Sequence, residues 1–217
     1  MNSQTRRYLL PGPVGAIEVL EDLPTSEPVV GVAVIAHPHP LFGGTAENKV
    51  VQTLARAFVL CGWRALRFNF RGVGATEGVH DAGEGELQDL LAVIEHACQG
   101  GRTQPLALAG FSFGSFVVSH ALQALGPDRM PQKLVMVGTA ASRFTVAQIP
   151  PEMHLRTLIV HGEQDETVPL ADVMNWARPQ RLPVTVIPAG EHFFHGQLPL
   201  LRGLVVRHLR APTDALP

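Results

Sequence analysis

The chain has 217 residues and a formal net charge of −2 at pH 7, with 46% hydrophobic and 17% charged residues. This composition excludes intrinsic disorder, and the small negative charge gives no electrostatic footprint for nucleic acid or an anionic membrane surface. The length fits a single domain over residues 1–217 that is large enough to bury its own core.

The sequence shows no pattern typical of a signal peptide, a membrane-spanning helix or a disulfide framework. The apolar stretch near the N-terminus breaks at Pro11, and the longest apolar run, Val29–Ala36, is far shorter than the ~20 residues needed to cross a bilayer. Two cysteines, Cys61 and Cys98, do not make a disulfide framework, so we expect buried free thiols. We therefore expect a cytoplasmic protein that binds neither membrane nor nucleic acid.

Short apolar runs alternate along the chain with longer amphipathic ones, a pattern typical of parallel strands joined by helices. The predicted strands, in chain order, are Val14–Leu20, Val29–Ala36, Trp63–Phe70, Leu106–Ala109, Leu134–Val137, Leu155–Val160 and Val184–Ile187. The predicted helices are Glu47–Cys61, Gly85–Ala97, Phe113–Leu125 and Leu198–Leu209. We expect an α/β protein with one open, mostly parallel, twisted sheet and helices on both faces.

The segment Gly110–Gly114 reads G-F-S-F-G and lies between a predicted strand and a predicted helix. In this arrangement the serine stands on a sharp, strained turn with its hydroxyl clear of the sheet edge. Glycine is needed on both sides because a side chain there would collide with the neighbouring strand and helix. The first turn of the helix directs free N–H groups at a reacting carbonyl oxygen. Ser112 is therefore the candidate nucleophile, and the alternative is an inert serine in a glycine-rich turn.

A nucleophile on such a turn is followed along the chain by an acid and then by a histidine, each at the carboxyl end of a strand. Three carboxylates follow the strand predicted over Leu155–Val160, namely Glu163, Asp165 and Glu166. We favour Asp165, at the tip of the loop, and its alternative role is helix capping. The segment after the preceding strand, residues 138–142, has no carboxylate, which strengthens this choice.

The last predicted strand, Val184–Ile187, is followed by two histidines, His192 and His195. We assign the general base to His192 because it is nearer the strand end, where a loop residue can reach the serine hydroxyl. His195, nearer the closing helix, is the alternative. The two phenylalanines between them are expected to pack and to fix the loop.

An acyl-transfer site needs two hydrogen-bond donors for the negative charge that develops on the carbonyl oxygen. The first is the N–H of Phe113, directly after the candidate nucleophile. The second should come from the loop His37–Gly44, whose alternating prolines make it stiff and leave His39 and Leu41 as donors at its centre. Leu41 is the first choice and His39 the second.

Two other chemistries are disfavoured by the spacing of their motifs. His37 and His39 form an H-x-H pair without a third ligand nearby in sequence, so we predict that the imidazoles hydrogen-bond the loop and bind no metal. The glycines between residues 72 and 78 do not match a dinucleotide-binding fingerprint and indicate a tight loop near the site. Arg71 and Glu77 beside them are expected to be solvated surface charges rather than supports of that loop.

Together the motifs resemble those of the α/β-hydrolase superfamily, over nearly the whole chain. The similarity rests on G-F-S-F-G at 110–114, H-G-E-Q-D-E-T-V-P at 161–169, G-E-H-F-F at 190–194 and R-G-V-G at 71–74. The segment 36–50 resembles small bacterial α/β-hydrolases without a cap domain, related to the dienelactone hydrolases, whose L-F-G-like loop implies Leu41 as the oxyanion donor. Dienelactone hydrolases use a cysteine nucleophile where this chain has Ser112, so lactone chemistry is not carried over.

Members of the superfamily with a cap insert several dozen residues after the sixth strand. Here only Thr139–His154 separates the strands predicted on either side, which is enough for a loop and one helical turn. The site is therefore expected to be open. Its candidate walls are apolar side chains from several parts of the chain, namely Phe42, Phe111, Phe113, Phe144 and Met153.

These observations predict a serine hydrolase, and specifically a carboxylesterase that cleaves small or exposed esters through Ser112, His192, Asp165 and an acyl-enzyme. A thioesterase, amidase, peptidase or acyltransferase would use the same three residues. A non-catalytic, hydrolase-like binding module is the alternative of a different class, disfavoured because binding needs no nucleophile on a strained turn. We expect a small-molecule ester as the partner and no cofactor or metal.

Overall fold

The computed structural model describes residues 5–25, 28–98 and 104–212, and their central feature is one eight-stranded sheet. The strands are β1 (Arg6–Gly12), β2 (Gly15–Asp22), β3 (Gly31–Ala36), β4 (Trp63–Phe68), β5 (Leu106–Phe111), β6 (Lys133–Val137), β7 (Thr157–Gly162) and β8 (Val184–Ile187). Their order across the sheet is β1-β2-β4-β3-β5-β6-β7-β8. The pairs β1–β2 and β2–β4 are antiparallel, and every pair from β4 to β8 is parallel. The mostly parallel sheet is the one predicted.

Helices cover both faces of the sheet, as expected. They are α1 (Lys49–Leu60), α2 (Glu84–Cys98), α3 (Phe113–Ala124), α4 (Leu170–Ala177) and α5 (Leu198–Arg210). Helices α1 and α5 share a core with one face, and α2, α3 and α4 share a core with the other. In β3, Val32 and Val34 point to the second core while Ala33 and Ile35 point to the first. Both faces of this strand are buried, which explains its continuous apolar sequence.

The sequence did not predict two of the elements. Strand β1 forms an antiparallel hairpin with β2 at the sheet edge, where Pro11 is tolerated because an edge strand needs hydrogen bonds on one side only. Helix α4 has only eight residues, too few for a helical period to stand out. The strand predicted over Leu155–Val160 begins instead at Thr157, because Pro151–Arg156 form a 3-10 helix.

The glycine-rich turn after β4 is anchored by charged side chains. Arg71 donates from Nη2 and Nε to the fully buried carboxylate of Asp89 at 2.8 and 3.0 Å. Glu77 Oε2 accepts a hydrogen bond from the N–H of Ala16 at 2.6 Å. The expectation that Arg71 is a solvated surface charge was wrong, because its side chain is buried and paired with Asp89. Glu77 is exposed, as expected, although its carboxylate also binds a backbone N–H that is distant in sequence.

Cys61 and Cys98 are free thiols, and both are half-buried rather than fully buried as expected. Burial raises the pKa of each thiol, so both are protonated at neutral pH. Within the described part of the chain, no helix is both long and apolar enough to cross a membrane.

Candidate active site

Ser112 lies where β5 ends and the chain turns directly into α3. Its backbone has φ 55° and ψ −117°, a conformation that a residue with a side chain adopts only under strain. A Cβ on Gly110 would lie 2.4 Å from the carbonyl carbon of Gly114, and a Cβ on Gly114 would lie 2.4 Å from Ala36 O. The turn therefore requires both glycines, for the reason predicted from the sequence.

A chain of hydrogen bonds joins Ser112 to two residues that are distant in sequence. Ser112 Oγ lies 3.0 Å from His192 Nε2, and His192 Nδ1 lies 2.7 Å from Asp165 Oδ2. All three residues are buried, and Ser112, with 8% of its surface exposed, is the most accessible. The structure thus brings the predicted nucleophile, base and acid into contact.

Both carboxylate oxygens of Asp165 are held in place. Oδ1 accepts hydrogen bonds from the N–H groups of Thr167 and Val168 at 2.9 and 2.8 Å, which leaves Oδ2 for His192. Burial by itself would raise the pKa of this carboxyl, but the hydrogen bond and charge of His192 and the Val168 N–H bring the pKa below its usual value. Asp165 is therefore ionised at neutral pH.

The alternative candidates for the acid and the general base do not contact the nucleophile. Glu163 Oε2 accepts a hydrogen bond from the Ala189 N–H at 2.9 Å and ties the loop after β7 to the loop after β8. Glu166 is exposed. His195 is exposed and contacts Glu191, four residues earlier in the chain. None of these three side chains hydrogen-bonds to Ser112 within the described residues.

Two residues that the sequence analysis missed position this network. His161 is fully buried in β7, with Nε2 2.8 Å from Val168 O and 3.5 Å from Asp165 Oδ2. Burial lowers its pKa, so the ring is neutral and Nε2–H donates to Val168 O. Gly138, with φ 53°, leaves room for His192, because a Cβ there would lie 3.2 Å from His192 Cε1. For His161 the sequence did contain a signal, because it follows an apolar strand directly. A polar side chain that is buried at such a position needs a hydrogen-bond partner, which here is a group of the site.

The loop after β3 forms a short 3-10 helix over Pro40–Phe42. The N–H of Leu41 donates to His39 Nδ1 at 3.2 Å, and Leu41 is 69% exposed. This corrects the first choice of second oxyanion donor, since the Leu41 N–H is already bonded inside the turn. His39 lines the pocket beside Ser112, and its N–H has no acceptor in the described part of the chain. The N–H of Phe113 is equally unpaired there, so both groups are available to a ligand.

His37 supports this loop from within the protein. The residue is fully buried, its Nδ1 lies 2.6 Å from Pro38 O, and its Nε2 accepts a hydrogen bond from the Phe70 N–H at 3.0 Å. Burial lowers the pKa of His37 to about 4, so its ring is neutral at pH 7. The predicted hydrogen bonding of the loop by His37 and His39 is confirmed. Over residues 5–25, 28–98 and 104–212, no group of three or more His, Cys, Asp or Glu side chains could hold a metal ion.

A pocket of about 540 Å³ opens over Ser112 and His192. Phe42, Phe113 and Phe144 line it as predicted. The sequence analysis did not predict the other residues of the pocket wall, because no sequence pattern indicates that a single loop residue faces a pocket. They include Asn48, Arg143, Thr167, Val168 and Phe193.

Two of the predicted wall residues do not line the pocket. Phe111 is fully buried at the end of β5, where its ring centroid lies 4.9 Å from that of His192. Met153 is fully buried in the core shared with α2, α3 and α4. The prediction that Phe111 and Met153 form the walls was wrong, because both side chains are enclosed by the core rather than exposed at the pocket.

The segment after β6 is short and is attached to the body of the protein. Ser119 Oγ on α3 accepts a hydrogen bond from the Ala147 N–H at 3.0 Å. Gln180, just after α4, accepts one from the Ile149 N–H at 2.7 Å. These bonds fix the segment, which contributes Ala140, Arg143 and Phe144 to the pocket wall. No cap domain is present between β6 and β7, as expected.

The fold and the position of Ser112 define an α/β hydrolase without a cap. Residues 32–144, just over half of the chain, match the family described as Serine aminopeptidase, S33. The chain belongs to this family of α/β serine hydrolases. The resemblance to the superfamily is thereby confirmed, while the relation to dienelactone hydrolases stays a prediction.

Solved structures agree with this assignment. An α/β serine hydrolase without lid from Xanthomonas campestris is 36% identical, with a TM-score of 0.87 over 100% of this chain and 99% of that one. An α/β serine hydrolase homologue from Coxiella burnetii is 38% identical, with a TM-score of 0.79 over 94% of this chain and 97% of that one. A curated but uncharacterised protein of Rickettsia prowazekii is 40% identical over 107 residues, 49% of this chain and 44% of that protein. The match thus spans less than half the length of that curated relative.

Proposed function

We propose that the protein is a serine esterase in which Ser112, His192 and Asp165 form a catalytic triad. The observation that carries the proposal is the pair of contacts, 3.0 and 2.7 Å, that connects Ser112 Oγ through His192 to Asp165. A hydroxyl paired with an imidazole that an ionised carboxylate orients is the arrangement that activates serine as a nucleophile. A binding module would gain nothing from a serine with φ 55°.

In the first half-reaction, Ser112 Oγ attacks the ester carbonyl while its proton passes to His192 Nε2. The tetrahedral intermediate collapses, the bond from the carbonyl carbon to the alcohol oxygen breaks, and the alcohol leaves with the proton from His192. In the second, water loses a proton to His192 as it attacks the acyl-enzyme. The carboxylic acid leaves and the Ser112 hydroxyl is restored. Asp165 keeps the imidazole oriented and stabilises its positive charge.

We assign the two oxyanion donors to the backbone N–H groups of Phe113 and His39. Support comes from their position at the pocket with Ser112 and from their lack of an acceptor within the described residues. Phe113 is also the first residue of α3, where the helix dipole favours negative charge. Main-chain donors held by a turn need no reorganisation as charge develops on the substrate.

The charge of the pocket supports ester substrates over peptides with a free N-terminus. An aminopeptidase binds the α-ammonium group of its substrate, and carboxylates are the groups that bind ammonium strongly. No acidic side chain belongs to the described pocket wall, and its one arginine or lysine is Arg143, which repels an ammonium group. The open pocket also admits the water that deacylation needs.

Labelling with a fluorophosphonate, followed by peptide mapping, tests the proposal. We expect the label on Ser112 in the wild type and no label in Ser112→Ala. Ser142→Ala, a change at an exposed serine close to the pocket, is the matched control and should label normally. A folded wild-type protein that is not labelled would refute the proposal.

A series of p-nitrophenyl esters from acetate to palmitate then measures the activity. We expect hydrolysis of part of this series, with Ser112→Ala lowering kcat/KM by about 10⁴-fold or more. Acyl-CoA thioesters assayed in parallel separate thioesterase from esterase activity. Product analysis with an added alcohol separates hydrolysis from acyl transfer.

A further inference from the structure

The pocket carries a positive charge that the proposed chemistry does not use. Arg143 lies in the turn after β6 and lines the pocket next to Phe144. Its side chain is exposed and has no hydrogen bond or ion pair with any described residue. The buried arginines Arg67 and Arg71 differ, since each is paired with an aspartate at 2.8 Å. Arg143 is therefore free to bind an anion from outside the protein.

The backbone that carries Arg143 is fixed. The N–H groups of Arg143 and Phe144 both donate to Ala140 O at 3.1 Å. The Phe144 ring stacks on Phe116 with centroids 4.7 Å apart and meets Phe113 edge-on at 5.2 Å. The guanidinium group thus extends from a turn whose position relative to Ser112 is set by packing.

The wall around this charge is aromatic. Phe42, Phe113, Phe144 and Phe193 line the same pocket, and none of its described wall residues is acidic. A guanidinium group beside apolar surface binds a carboxylate more strongly than a fully solvated one does, because less water screens the pair. A neutral ester gains no such ion pair, so this charge would favour only substrates that carry an anionic group.

We propose that Arg143 selects esters that carry a carboxylate remote from the bond that is cleaved, with an apolar or aromatic body between the two groups. The inference rests on the proposed esterase function and names its substrate class. The carboxylate pairs with the planar guanidinium fork while the phenylalanines contact the body of the substrate. Ser112 then attacks the ester at the other end. The carboxylate belongs either to the acyl half or to the alcohol half, and the test distinguishes the two.

Two pairs of esters, each matched in size, test this selection. Mono-p-nitrophenyl adipate and p-nitrophenyl hexanoate differ by a carboxylate in the acyl half. 4-Acetoxybenzoate and its methyl ester differ by a carboxylate in the alcohol half. In at least one pair, Arg143→Gln should lower kcat/KM for the anionic ester about tenfold, mainly through KM, while the neutral ester changes less than about twofold.

Two further variants control for charge. Arg143→Lys retains the cation and should recover part of the loss, although it lacks the planar fork. Arg207→Gln makes the same change in net charge at an exposed position on α5, outside the pocket, and should affect neither pair. Added salt should reduce the preference of the wild type for the anion, because the pair lies near solvent.

The outcomes separate this inference from the esterase function. Equal effects of Arg143→Gln on the anionic and neutral esters of both pairs would overturn it, and so would an equal effect of Arg207→Gln. In either case fluorophosphonate labelling of Ser112 and turnover of neutral esters would persist, so the esterase function would stand. Loss of labelling in the wild type would overturn both proposals.

Discussion

The two sides of Ser112 are built in different ways. On the proton side, formed by His192, Asp165 and His161, the contacts of His192 with Ser112 and Asp165 join side chains that are 80 and 27 residues apart. His161 lies four residues before Asp165 and supports it from β7. On the charge side, formed by the loop His37–Gly44, most of the hydrogen bonds join near neighbours, and the bond from the Phe70 N–H to His37 is the exception. For example, the Gly44 N–H donates to His39 O at 3.0 Å.

This difference indicates how each side can be disrupted. A side-chain network loses its function when one atom changes, because each contact depends on a particular charge or tautomer. A main-chain donor survives replacement of its own side chain and is lost only when the N–H is removed or the loop moves. The predictions below, together with the Ser112 and Arg143 variants, test that distinction from the largest effect to the smallest.

The largest effect is expected on the proton side. Asp165→Asn keeps the shape of the side chain but removes the charge that orients His192 and stabilises it when protonated. We expect kcat/KM to fall by about 10³- to 10⁴-fold with little change in KM, measured with a p-nitrophenyl ester at pH 7. Glu163→Gln, in the same loop, retains an oxygen for the Ala189 N–H and is the control. A loss no larger than that of the control would contradict the assignment of Asp165.

On the charge side, two variants test the imidazole and the backbone N–H of His39 separately. The backbone there has φ −55° and ψ 124°, which proline can adopt. His39→Pro removes the N–H and the imidazole, whereas His39→Ala removes the imidazole alone. We expect a decrease in kcat of about 10²- to 10³-fold for the proline variant and less than about tenfold for the alanine variant. Equal activity of the two variants would show that the His39 N–H does not bind the oxyanion.

The smallest effect concerns stability rather than turnover. Burial lowers the pKa of His37 from 6.5 to about 4, so the unfolded chain binds the proton more tightly than the folded one. The neutral folded form is therefore favoured above pH 6.5, and this contribution is lost progressively as the pH falls towards 4. It should amount to about 2 kcal/mol between pH 7 and pH 5.

Urea unfolding at the two pH values measures this loss. His37→Gln does not titrate in this range, so the free energy of unfolding should fall by about 2 kcal/mol less in the variant than in the wild type. Burial, with the charge of Lys133, lowers the pKa of His208 to about 4 as well. Its contribution remains in both proteins and cancels in the comparison. The same pH dependence in both proteins would contradict the buried, neutral state of His37.

Much of the fold was predictable because its signals are local. The continuous apolar runs predicted β3 and β5, and β8 was predicted with its observed bounds, Val184–Ile187. The elements that were missed have weak local signals. Strand β1 contains a proline and is stabilised by pairing with β2, and α4 is short and is stabilised by packing of Val173 and Ala177 against the core.

The sequence by itself determined the candidates Ser112, Asp165 and His192, because the glycine spacing and the position of each residue after an apolar strand are local properties. Only the tertiary structure favoured His39 over Leu41, because the direction of an N–H group depends on backbone angles that the sequence does not specify. It also decided that Met153 is buried and that Arg143 lines the pocket without a partner. Burial and pairing are set by residues far away along the chain, and no local pattern records them.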